Sequence, residues 1–220
     1  MLIIVLAPPS PLAARDKTKG GIVYSPYNAD GTCKSESQFL SDVAPLSSFS
    51  YLRLYGVDCN QVANGITAAK QYGFLLFLGS HNPQSDSEIG SIISTVNGQW
   101  NLVHTISIGN ELVNSGQMAP GDVVARVNSA RGTLRNAGYN GPVVTVDTFV
   151  ALMAHPELCQ ASDYVAANCH PFFDGKVAAS GAGDFLKVQS QNVKNACGGK
   201  DVLITGKFFL PLPHFLAIDN

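Results

Sequence analysis

The residues best suited to chemistry are a carboxylate and an amide side by side, Asn110 and Glu111, at the end of Ser107-Ile108-Gly109-Asn110-Glu111-Leu112. A carboxyl group placed just past an apolar run, flanked by an amide and partly screened from water, can hold a proton and donate it to a leaving oxygen. A second cluster lies at Asn168-Cys169-His170-Pro171-Phe172-Phe173-Asp174, where amide, imidazole and two aromatic rings follow one another. A sugar ring presents flat C–H faces and a rim of hydroxyls, so aromatic platforms beside amide, carboxylate and imidazole groups suit a carbohydrate. Tyr24, Tyr27, Tyr55, Phe172 and Phe173 are candidate platforms, two or three of which are expected to be core packing instead. Asn110, Asn168 and His170 are candidate hydroxyl partners. Asp58 and Asp147 either bond hydroxyls or cap the turns that follow them.

These groups sit at the ends of short apolar runs at 22–24, 51–55, 74–78, 105–108, 143–146, 164–168 and 202–204. Each run is nearly continuously apolar, as a strand covered on both faces must be. Helical spacing fills the intervals. Ser35 and Gln38 form a capping box ahead of Phe39, Val43 and Leu46. Asn60 precedes Val62, Ile66 and Ala69, while Asp86 precedes Ile89, Ile92, Ile93 and Val96. Val123, Val127, Ala130 and Leu134 lie on one helix face that Gly138 closes, and a last helix is predicted over 184–196. Seven strands alternating with helices require a parallel sheet with helices outside. No Gly-x-Gly-x-x-Gly turn follows the first strand, which argues against a dinucleotide fold. Polar and aromatic residues gathered after strand ends favour a (β/α)8 barrel, whose chemistry sits at that face. Such a barrel takes about 250 residues, whereas the patterned body runs only from 21 to 205. The expectation is therefore an incomplete barrel of about seven βα units, without the eighth strand and last helix.

Composition narrows the partners. Of 220 residues, 45% are apolar and 14% charged, with net charge −2, against about a quarter charged in ordinary soluble domains. No basic field attracts nucleic acid or an anionic membrane, and no apolar run approaches the ~20 residues of a membrane-spanning helix. A monomer with a polar, weakly charged surface suits neutral ligands. No cofactor is implied, and the five cysteines form no CxxC or Cys/His cluster that would hold zinc. Residues 1–19 read as a degraded leader or a disordered tail. Residues 206–220, apolar without period and broken by prolines, do not continue the pattern.

The segments 21–28 (GIVYSPYN), 52–60 (LRLYGVDCN), 104–114 (HTISIGNELVN), 141–148 (GPVVTVDT) and 170–174 (HPFFD), in this order and spacing, resemble the fungal cell-wall branch of glycoside hydrolase family 17. That branch comprises β-1,3-glucanases and β-1,3-glucan transglycosylases. The likeness covers about 20 to 205. It implies a secreted or wall-bound (β/α)8 barrel acting on β-1,3-glucan by a retaining mechanism, with an acid/base Glu ending the fourth strand and a nucleophilic Glu ending the seventh. Glu111 matches the first. The family's second motif, Thr-Glu-Thr-Gly-Trp-Pro, is replaced by Thr205-Gly206-Lys207, so the nucleophile has no counterpart and the expectation is an inactive enzyme. Gly-Lys-Phe can be encoded GGT-AAG-TTY, which contains GTAAGT, so the tail is also readable as translated intron. Two other readings follow: a glucan-binding protein without catalysis, and a product that does not fold. In the barrel that the resemblance implies, Cys33 and Cys59 follow neighbouring strand tops. Cys159 and Cys197 precede neighbouring strands at the opposite face. Both pairs suit bridges. Cys169 alternates with Asn168 and His170, so it is expected to point to the helix layer, as a buried free thiol or as one whose C-terminal partner is lost.

Overall fold

The computed structural model describes residues 19–81 and 86–206. The expectations for a leader and for a foreign tail fall outside these residues, except that Lys19 opens the first strand and Gly206 closes the last. Seven strands, β1 (Lys19–Val23), β2 (Phe49–Arg53), β3 (Leu75–Ser80), β4 (Val103–Asn110), β5 (Val143–Thr148), β6 (Val165–Asn168) and β7 (Val202–Gly206), lie side by side in sequence order. Every neighbouring pair is parallel. Helices α1 (Glu36–Val43), α2 (Gln61–Tyr72), α3 (Asp86–Val96), α4 (Pro120–Asn136), α5 (Phe149–Ala154), α6 (Pro156–Ala161) and α7 (Ala182–Ala196) fill the crossovers. Among the described residues the result is a nearly closed, incomplete (β/α)8 barrel whose end strands β1 and β7 do not pair with each other.

Local chemistry accounts for the element ends. At α1 the capping box is formed: Ser35 Oγ accepts from Gln38 N, and Gln38 Oε1 accepts from Ser35 N. Thr148 caps α5, and Pro120 and Pro156 open α4 and α6, where a missing N–H leaves no bond unmade. The main apolar core lies between sheet and helices, with Leu52, Leu54, Leu76, Leu78 and Ile106 facing Phe39, Ile66, Ile92, Val127 and Leu134. A smaller cluster of Phe77, Val144, Val146 and Ala166 fills the barrel interior, against Tyr164 and Leu203. The rest of that interior is polar. Tyr164 Oη and Thr105 Oγ1 are 2.9 Å apart, and His104 Nδ1 is 2.8 Å from Thr105 Oγ1.

Both disulfides join the expected partners: Cys33–Cys59 ties the loops after β1 and β2, and Cys159–Cys197 ties α6 to the end of α7, while Cys169 is free and buried. Cys159 and Cys197 are 38 residues apart. Closing a loop of that length removes about 3–4 kcal/mol of unfolded-chain entropy. The double variant Cys159→Ser, Cys197→Ser should lose that much in urea denaturation, and a midpoint equal to the parent's would show that the bridge constrains nothing.

Candidate active site

The site is built on the strand ends of the barrel. β4 finishes at Asn110, and Glu111 follows in the left-handed region with φ +55°, a conformation that costs a non-glycine residue about 1 kcal/mol or more. The surroundings hold it there. Glu111 N donates to the Val146 carbonyl at 2.9 Å, and the Glu111 carbonyl accepts from Ser115 N and Ser115 Oγ. Asp147, at the end of β5, accepts from Val113 N at 3.0 Å, Asn114 N at 3.4 Å and Thr148 N at 2.8 Å. Its side chain therefore ties down the loop that carries Glu111. Asp147 is only 1% exposed; one of its bonds, to Thr148, is to the turn that follows it, and the other two reach the loop after β4 instead. Burial raises its carboxyl above the ordinary range, against the three N–H groups that lower it.

Beneath Glu111 runs a buried polar chain. Asn168, on β6, donates from Nδ2 to Glu111 Oε1 at 2.7 Å and to Asn110 Oδ1 at 3.1 Å. Its Oδ1 accepts from Thr205 Oγ1 at 2.8 Å and lies 3.4 Å from Arg53 Nη1. Arg53 Nη1 also donates to the Thr205 carbonyl at 2.6 Å, and Nη2 donates to Asn110 Oδ1 at 3.1 Å. The guanidinium is sandwiched near the Tyr55 ring (4.3 Å) and the Phe77 ring (5.2 Å). Burial pulls its pKa below the usual arginine value, while the charge of Glu111 is among those that oppose the shift. Arg53 and Thr205 are the site residues that sequence reasoning did not single out. A lone cation inside the apolar run Leu52-Arg53-Leu54 was the available signal for the first.

The rim is aromatic. Tyr55 is half-buried on Arg53, and Phe173 is 74% exposed, edge-on to His170 (5.6 Å) and Phe172 (5.4 Å). The His170 ring is half-buried with its Nδ1 enclosed and unpartnered, and burial lowers its pKa. Tyr27 Oη donates to Asp58 Oδ2 at 2.6 Å; Asp58 Oδ1 accepts from Gln61 Nε2. Burial, then the hydrogen bond and charge of Asp58, push the Tyr27 phenol up to about 12. Tyr24 is not part of this rim. It is 8% exposed, packs edge-on against Phe39 of α1 and donates to Asp42. Its expected place as a sugar platform is corrected to a place in the outer core, because its side chain turns to the helix side of the sheet. Thus Glu111, Asn110, Asn168, Tyr55, His170 and Phe173 come together, while Asp147 and Tyr24 act behind or beside them. Among the described residues no three His, Cys, Asp or Glu side chains are grouped to hold a metal, and no helix is long and apolar enough to cross a membrane.

A carboxyl group beside two amides, with aromatic rings on the same loops, can serve glycosidic bond chemistry, and comparison with known proteins supplies the family. The chain is 49% identical over 189 residues to the cell surface mannoprotein MP65 of Candida albicans and 47% to the probable family 17 glucosidase SCW4 of Saccharomyces cerevisiae. In both cases 84% of this chain aligns, and it spans about half the length of these relatives (50% and 49%). The barrel superposes with a TM-score of 0.69 on the glycoside hydrolase family 17 β-1,3-glucanosyltransferase of Rhizomucor miehei, at 20% identity over 84% of this chain and 69% of that one. An active-site mutant of that enzyme in complex with laminaritriose superposes at 0.70, also at 20% identity, over 86% of this chain and 71% of that one. The family model described as the BtgE/BtgC glycoside hydrolase domain matches residues 21–206, nearly every residue described, and the chain belongs to that family.

Proposed function

We propose that this chain binds β-1,3-glucan at the strand-end mouth and presents Glu111 as the proton donor to the glycosidic oxygen. The observation that carries this reading is the side chain of Glu111, hydrogen-bonded to Asn168, whose other partners are Asn110, Thr205 and the Arg53 that stacks on Tyr55, with the His170–Phe173 pair following Asn168 in the chain. The names of the relatives, and a fold neighbour in complex with laminaritriose, support glucan as the polymer and the cell surface as the place. Hydrolysis with retention requires a second carboxyl group about 5–5.5 Å from the first. The resemblance puts that group at the end of β7, where this chain carries Gly206. A Cβ there would lie 3.1 Å from Asn168 Oδ1 and from His170 Cε1. Asp147 does not replace it, since its oxygens hold three backbone N–H groups. The reading favoured by Gly206 is therefore a glucan-binding barrel whose covalent step is disabled.

Calorimetric titration with laminaritriose and release of reducing ends from soluble β-1,3-glucan test it together. The expected result is binding, weakened about tenfold in Phe173→Ala by loss of an aromatic face, with reducing ends released no faster than by Glu111→Gln. Absence of binding overturns the glucan reading. Turnover that Glu111→Gln abolishes overturns the disabled step.

A further inference from the structure

We infer that Asn168 is a positioning residue that assigns the transferable proton of Glu111 to Oε2; this rests on the proton-donor reading above. Asn168 entered as a candidate sugar contact, yet it is 3% exposed and its amide is saturated. A carboxamide has two acceptor lone pairs and two N–H donors, and all four are engaged, by Arg53, Thr205, Glu111 and Asn110. Any bond to a sugar hydroxyl would break one of these. The orientation of the amide is chemically forced. Arg53 has only donors, so the Asn168 atom facing it must be oxygen. Asn110 Oδ1, which accepts from Arg53 Nη2, must in turn receive an N–H from Asn168.

A consequence follows for the carboxyl group. In a protonated carboxyl, the carbonyl oxygen is the good acceptor and the hydroxyl oxygen carries the proton. With Asn168 Nδ2 2.7 Å from Oε1, the protonated form of Glu111 has Oε1 as its carbonyl oxygen and carries its proton on Oε2. Among the described residues Asn168 supplies the only hydrogen bond to this carboxylate, so Oε2 is left to meet the substrate oxygen. The other charged or titratable groups around Glu111 act without such a bond: Arg53 on β2 and His170 after β6, together with Asp147 on β5, whose oxygens face the backbone.

The test uses the full chain with 13C-labelled glutamate, the Glu111 carboxyl signal being assigned by its absence in Glu111→Gln. In Asn168→Asp a like charge replaces the donor, and the midpoint of that signal against pH should rise by about one unit or more. Asn168→Ala, which removes the donor only, should raise it by less. In the unmutated chain one Asn168 side-chain proton should resonate downfield and exchange slowly, and Glu111→Ala should abolish this. That last comparison stands even if the Asn168 variants fail to fold. Coincident midpoints, or Asn168 protons indifferent to Glu111→Ala, overturn the assignment. None of these readouts involves sugar, so a failure here leaves the laminaritriose titration to judge the function separately.

Discussion

Arg53→Ala is expected to remove about 3–4 kcal/mol of folding stability, a large share of the roughly 5–15 kcal/mol that holds a domain together. Two effects add. The Thr205 carbonyl, in a residue 7% exposed, loses its 2.6 Å donor, and an orphaned buried acceptor costs about 1–3 kcal/mol. The side chain also leaves a void between the Tyr55 and Phe77 rings, worth about 2 kcal/mol or more where the walls do not collapse. One effect opposes them: burial disfavours the guanidinium charge, which is why its pKa falls, and removing the charge relieves that penalty. Arg53→Met separates the contributions. It refills the void without restoring the donor, so its loss should be about 1–2 kcal/mol. Lysine restores charge but not the fork that reaches Thr205 and Asn110 together, and should fall between the two. Urea denaturation of the three variants checks the order. An Arg53→Ala unfolding free energy within about 1 kcal/mol of the parent's would mean that the guanidinium does not hold the barrel interior together.

The same residue shows what a linear reading can and cannot see. All seven strands were legible because a strand covered on both faces must be apolar almost throughout, and the α1 cap because Ser35 and Gln38 have the required spacing. The short helices α5 and α6 are not legible, since six residues give fewer than two turns of periodicity. At the site, Glu111, Asn110 and the Asn168–Phe173 stretch were identified from type and position. What the sequence does not display is the direction of each side chain once the strand ends. Tyr24 follows β1 directly, yet Phe39 and Asp42, contributed by the next helix, draw it outward. Asn168 reads as a sugar contact in the sequence because amides at a barrel mouth bind hydroxyls. Its four partners come from β2, β4, the residue after β4 and β7, and only the curling of the sheet brings them within reach.

Asp147→Ala is expected to cost about 2–3 kcal/mol and to release the left-handed backbone at Glu111. Hydrogen bonds to a charged group contribute about 1.5–3 kcal/mol each, and here the backbone N–H groups of Val113, Asn114 and Thr148 all converge on one carboxylate. Desolvation of that carboxylate offsets much of the sum, as its raised pKa records. The pH dependence has a defined sign. Because burial lifts the folded-state value above the ordinary 3.8, the folded protein takes up this proton before the unfolded chain does as pH falls. Stability linked to the group is therefore greatest below 3.8 and declines as pH climbs through that value to the raised one. Asp147→Asn keeps the shape without the titration, so the parent's stability relative to that variant should fall over this window and then level. Urea midpoints of the two proteins at steps from about pH 3 to about pH 7 read this difference directly. A parent that instead gains on Asp147→Asn as pH rises would show that the N–H groups outweigh burial. The loop carrying Glu111 would then be held by a carboxylate that favours its charged form.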